Sequence, residues 1–217
     1  MTRIKICGIT RIDDALAAAK AGAEALGFIG VPSSPRYITP EKYHEISQSI
    51  PIFVNRVVVV QRPEDAEEYL TEYVQHYLDT TDKSRFRRGE TWRIKAFRME
   101  DESTVREIAA YSVPVGAILL DTYHKERLGG SGETFNWQLA LQVKAITEKP
   151  IILAGGLTPS NVKDALESVH PYAVDVSSGV ESSPGIKDHS KMEAFVRAVH
   201  EWDLEMAASK AVESTVV

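Results

Sequence analysis

The chain has 217 residues, 43% of them hydrophobic and 26% charged, which is enough apolar material for one sizeable core under a charged surface. A formal net charge of −6 gives no electrostatic footprint for wrapping nucleic acid or coating an anionic membrane, and no apolar run approaches the roughly 20 residues a bilayer span needs. A single cysteine excludes an internal disulfide and the first residues lack the pattern of a secretory signal, so a reducing cytoplasm is the expected location.

Short β-branched runs alternate with longer amphipathic segments along the chain, the pattern of a parallel sheet covered by helices. Strands are predicted at Arg3–Cys7, Ala25–Gly30, Arg56–Val60, Val74–Leu78, Arg93–Phe97, Gly116–Asp121, Ile151–Ala154 and Ala173–Ser177. A helix is predicted over Arg11–Ala21, with Asp13 and Asp14 in its first turn and Gly22 ending it. Thr39-Pro40 and Thr158-Pro159 each offer a hydroxyl cap followed by proline, and so predict two more helix starts. A short, very acidic helix is predicted over Glu64–Tyr73, after Pro63.

Eight strands in one domain suggest closure, so the predicted fold is an α/β (β/α)8 TIM barrel over residues 1–205 with a degenerate region around strands three and four. The polar stretch Asp79–Thr91 fits no repeat unit, and residues 206–217 read as a poorly ordered tail. A monomer is expected, because no long exposed apolar stripe is visible. One basic run, Lys83-Ser84-Arg85-Phe86-Arg87-Arg88, has the composition of a nucleic-acid contact but reads better as a solvated loop.

In such barrels the working groups sit where strands end, and there the chemistry-bearing residues collect. Gly155-Gly156 after strand seven and Ser177-Ser178-Gly179 after strand eight free backbone N–H groups to face phosphate oxygens; each alone could equally be a tight turn. Cys7 ends strand one and Asp121 ends strand six, a thiol and a carboxyl at the rim; the bland alternatives are a small buried apolar residue and a backbone cap. Arg36 has the planar fork for a carboxylate, or is a surface loop arginine. Lys5 alternates with Cys7 and so shares its strand face. Gly129-Gly130-Ser131-Gly132 is flexible enough for a lid or for a linker. The histidines are dispersed, without metal-ligand spacing, and no metal is expected.

Lys5-Ile6-Cys7-Gly8-Ile9-Thr10, Leu26-Gly27-Phe28-Ile29, Ser34-Pro35-Arg36, Lys95-Ala96-Phe97-Arg98, Leu119-Leu120-Asp121, Gly130-Ser131-Gly132-Glu133-Thr134-Phe135-Asn136-Trp137, Leu153-Ala154-Gly155-Gly156-Leu157 and Asp175-Val176-Ser177-Ser178-Gly179-Val180-Glu181 stand in register from about Arg3 to Trp202. In this order they resemble the phosphoribosylanthranilate isomerase family. The resemblance implies an Amadori rearrangement of N-(5′-phosphoribosyl)anthranilate without any cofactor, in tryptophan biosynthesis. It implies Asp121 as general acid, Cys7 as general base and Arg36 as the holder of the anthranilate carboxylate. It places phosphate on Gly155, Gly156, Ser177, Ser178 and Gly179, and other substrate contacts on Lys5, Gln75, Gly130 and Gly132.

Departures fall on strands three and four. The family usually reads Gly-Val-Phe-Val-Asn and Gln-Leu-His-Gly, where this chain has Arg56-Val57-Val58-Val59-Val60 and Gln75-His76-Tyr77-Leu78. Asn136 stands for an expected Asp, and both can cap the next helix. Two alternatives stay open: a sugar-phosphate isomerase that also accepts the related ribonucleotide of histidine synthesis, and a non-catalytic paralogue that keeps the phosphate loops.

Overall fold

A computed structural model describes residues 1–79, 92–122 and 136–215. Parallel strands β1 (Arg3–Cys7), β2 (Ala25–Ile29), β3 (Asn55–Val60), β4 (Tyr73–His76), β5 (Trp92–Met99), β6 (Ala117–Thr122), β7 (Ile151–Leu153) and β8 (Ala173–Val176) close into a barrel in chain order. The closing pair sets Lys5 opposite Asp175, and the predicted strands correspond to the observed ones within about two residues.

Strand alternation sorts the apolar residues into two cores. Ile4, Ile6, Leu26, Phe28, Val58, Val60, Phe97, Ile118, Leu120 and Val174 point outward and are buried under the helices. Val57, Ile94, Ala96, Ala117, Leu119, Ile152, Ala154 and Ala173 fill the barrel interior. A parallel strand with both faces covered needs apolar residues at every position, which is why β3 contains four valines in succession. Fully burying one such side chain contributes about 1.5–3 kcal/mol.

The helices are α1 (Ile12–Ala21), α2 (Pro40–Ser47), α3 (Glu102–Ala110), α4 (Trp137–Ile146), α5 (Val162–Val169) and α6 (His189–Thr215). Gly22 ends α1 at φ +113°, in the left-handed region that glycine adopts without strain. Thr39 caps α2 by accepting from the Lys42 N–H, and Asn136 caps α4 by accepting from the Gln138 N–H. The turn at Thr158-Pro159 is not itself a helix start. Asn161 bonds back to the Thr158 N–H and the Gly156 carbonyl, and α5 begins only at Val162.

The acidic helix predicted over Glu64–Tyr73 is instead a 3-10 segment, Pro63–Tyr69, ended by Leu70 at φ +49°. Like charges one turn apart oppose an α-helix, and only Ala66 and Tyr69 are buried to offset them. The tail is also corrected: α6 runs on to Thr215, through the alanines 207, 208 and 211, which are strong helix formers. Beyond β8, a small hairpin of β9 (Glu181–Ser183) and β10 (Ile186–Lys187) was not foreseen. It delivers Glu181 and Lys187 to the barrel mouth.

Candidate active site

At the carboxyl end of the barrel lies a cavity of about 130 Å³. Cys7, Arg36, Gln75, Asp121, Gly155, Gly156, Ser177, Ser178 and Gly179 all line it. Gly130 and Gly132 lie outside the described residues, as do the whole proposed lid and the Lys83–Arg88 run.

The floor is polar and paired. Lys5 is buried below Cys7, and its ammonium donates to Gln75 Oε1 at 2.8 Å and Asp175 Oδ2 at 2.9 Å. Asp175 Oδ1 is buried without a partner among the described residues, and Asp175 itself lines the cavity. Burial lowers the Lys5 pKa, but Asp175 and Cys7 outweigh it, so Lys5 stays charged. Burial pushes the Cys7 thiol above its ordinary value; Lys5 and Lys187 pull it back only in part, and Asp175 opposes them. The rim position therefore does not by itself depress the thiol.

Arg36 lies across the mouth. Its Nε and Nη2 donate to the two Glu181 oxygens at 2.8 and 2.6 Å, and Lys187 Nζ donates to the same carboxylate at 2.9 Å. Gly8 makes this possible: it sits at φ +77°, and a Cβ there would lie 2.7 Å from Arg36 Cδ. Burial pushes the Glu181 carboxyl up, yet the arginine fork and Lys187 hold it below the usual range. Two cations share one anion: Arg36 lines the cavity, while Lys187 is buried behind it, where burial pushes its pKa down.

Opposite, Asp121 is half-buried at the end of β6. Its Oδ1 accepts from the Thr122 N–H at 2.9 Å and its Oδ2 from the Tyr77 hydroxyl at 3.1 Å. Burial pushes this carboxyl up and Asp175 adds to the rise, against the opposing pull of Tyr77, Thr122 and Arg98. Both proton-transfer candidates thus have a raised affinity for protons.

The side formed by Gly155, Gly156 and Ser177–Gly179 is built from backbone. Gly155 and Gly156 have φ of +83° and +66°, and a Cβ on Gly155 would collide with Thr122. A Cβ on Gly179 would strike the Leu157 carbonyl. Ser177 Oγ is buried and without a partner among the described residues.

The family model for N-(5′-phosphoribosyl)anthranilate (PRA) isomerase matches residues 4–198. The chain belongs to the phosphoribosylanthranilate isomerase family. A relative in Geobacter sulfurreducens named as this isomerase is 46% identical over 209 residues, covering 93% of this chain and all of that one. The phosphoribosyl anthranilate isomerase crystal structure from Thermotoga maritima superposes with a TM-score of 0.81 at 38% identity, covering 93% of this chain and all of that one. A structure of this isomerase in complex with reduced 1-(o-carboxyphenylamino)-1-deoxyribulose 5-phosphate gives a TM-score of 0.77 at 35% identity, with the same coverage of both chains.

Sequence reasoning missed Tyr77 and Arg98 as residues lining the isomerase cavity, and Glu181 and Lys187 as the charged partners behind Arg36. Asp175 and Glu181 stood inside a quoted motif, and the alternation Asp175, Ser177 was the available signal for a second inward acid. Glu181 and Lys187 meet Arg36 only through the β9–β10 hairpin, for which the sequence offered no periodicity.

Proposed function

We propose that the protein isomerises N-(5′-phosphoribosyl)anthranilate to 1-(2-carboxyphenylamino)-1-deoxyribulose 5-phosphate, in tryptophan biosynthesis, by general acid and base catalysis. The observation that supports this most is that Cys7 and Asp121, carried by β1 and β6, face one cavity that also receives the two glycine-rich ends. An aldose-to-ketose shift needs one proton donor, one acceptor and an anionic handle for positioning.

Asp121 gives its proton to the furanose ring oxygen. The C1′–O bond breaks as the anthranilate nitrogen lone pair forms C1′=N, and the sugar opens to a protonated Schiff base. Cys7 as thiolate removes the C2′ proton; the electron pair moves into C1′=C2′ and neutralises the nitrogen. The resulting enolamine tautomerises to the ketone. The phosphate dianion sits on the Gly155-Gly156 and Ser177–Gly179 backbones. Arg36, which lines the cavity, favours the anthranilate carboxylate, and Lys5 and Lys187 pull the Cys7 thiol towards its thiolate.

Loss of the fluorescent anthranilate adduct, followed with purified protein, tests this directly. Wild type is expected to turn over, and Cys7→Ser and Asp121→Asn each to lower turnover by at least about a hundredfold. Near-normal rates in both variants would remove the assigned roles. Ligand binding without turnover in the wild type would mark a non-catalytic paralogue.

A further inference from the structure

We propose that Tyr77 is a positioning residue for proton delivery: its phenol fixes the Asp121 carboxyl and stabilises the carboxylate left after that proton reaches the sugar. This rests on Asp121 being the general acid, as set out above.

The geometry leaves the phenol little freedom. The N–H groups of Tyr77 and Leu78 both donate to the Gln61 carbonyl, at 3.2 and 2.8 Å, which turns the chain sharply at the end of β4. The Tyr77 carbonyl accepts from Lys95 Nζ at 2.5 Å. The ring lies against Arg98, whose guanidinium carbon is 4.9 Å from its centroid. From that seat the hydroxyl meets Asp121 Oδ2 at 3.1 Å, inside the cavity.

With Oδ1 held by the Thr122 N–H, the phenol at Oδ2 fixes the plane of the carboxyl. A hydrogen bond to a charged acceptor is roughly twice as strong as one to a neutral acceptor, so this contact gains strength as Asp121 loses its proton. Stabilisation that grows during the step lowers its barrier. Tyr77 does not become the acid itself, because burial and the Asp121 charge push its own pKa well above the ordinary phenol value. Among the described residues, the groups facing Asp121 are Tyr77 from the turn after β4, Arg98 from β5 and Asp175 from β8, and Cys7 on β1 faces Tyr77. The phenol favours the ionised carboxyl, so its removal moves the Asp121 titration to higher pH.

The experiment is a carbon-13 carboxyl titration of the full chain, with steady-state kinetics on the same samples. The resonance missing from Asp121→Asn identifies Asp121. Tyr77→Phe keeps the ring beneath Arg98 and removes only the donor. It is expected to titrate Asp121 at higher pH and to lower kcat by about tenfold, the scale of one hydrogen bond to a charged group, while KM moves by less than about threefold. Site-specific 3-fluorotyrosine at Tyr77, a stronger donor of nearly the same shape, is expected to move Asp121 the opposite way, and it decides the matter if Tyr77→Phe does not fold. An unmoved Asp121 titration, or a loss confined to KM, overturns the proposal. Turnover by Asp121→Asn would sink the general-acid reading along with it; an inactive Asp121→Asn beside an unaffected Tyr77→Phe sinks the role of Tyr77 alone.

Discussion

Glu181 accepts from both Arg36 and Lys187 while almost fully buried, and its removal would leave two cations together in a dry wall. Glu181→Ala is therefore expected to cost about 3–5 kcal/mol of stability, read as a lower urea midpoint, because the uncompensated charges dominate over any lost attraction. Cys7 poses the opposite problem, since burial raises its pKa and Lys5 is the strongest influence pulling it down. Lys5→Met removes that pull and leaves Asp175 unpaired nearby, so Cys7 should deprotonate at still higher pH. As the only cysteine in the chain, it makes the ultraviolet thiolate absorbance an unambiguous readout. A thiolate titration unchanged in Lys5→Met would show that Lys5 does not tune Cys7. Gly27 adds a steric constraint, for a Cβ there would lie 2.5 Å from Cys7 Sγ. Gly27→Ala should displace the thiol and lower turnover at least about tenfold, on the general scale of misplaced catalytic groups.

At the scale of elements, β4 is where the sequence was hardest to read. Its Gln75 faces inward to Lys5, whereas His76 faces outward, with Nδ1 against the Leu78 carbonyl and Nε2 buried without a partner among the described residues. Burial lowers the His76 pKa from 6.5 to about 4. Because the native value lies below the unfolded one, acidification loads the proton onto the unfolded chain first. Stability from this site is complete above pH 6.5 and is lost towards pH 4, by roughly 3 kcal/mol. The difference between wild type and His76→Asn in denaturant midpoints across that range should show this slope, and parallel curves would refute it. Elements with strong local signals were legible: the valine run of β3, the Thr39 cap of α2 and the Gly22 stop of α1. The acidic stretch after Pro63 was not, because helix and 3-10 turn share their start signals and differ in how much of one face finds a core.

For the molecule as a whole, α6, the last helix, is tied to the start of the chain. Asp203 accepts from the Thr2 N–H and hydroxyl, and Trp202 is buried in the outer core. Ending the chain after Val199 removes these contacts and is expected to cost about 3–5 kcal/mol, or roughly 10 °C in Tm. Ending it after Met206 removes only exposed positions among those described, and Tm should stay within about 2 °C. Equal losses from the two truncations would contradict this division of the helix.

Alternation of strand and helix, the two apolar periods and the glycine-rich strand ends were enough, from the residues alone, to specify a closed barrel with Cys7, Asp121 and the two glycine-rich loops at one rim. Those features are local, or repeat with the geometry of a strand, so they survive in a linear reading. What only the tertiary structure decided was which charges meet: Arg36 with Glu181 and Lys187, Lys5 with Asp175, Tyr77 with Asp121. Each of these pairs is set by barrel closure, by register between distant strands or by a small hairpin. Partners up to 170 positions apart leave no periodic trace in the chain, and their protonation follows from burial that exists only once the barrel has formed.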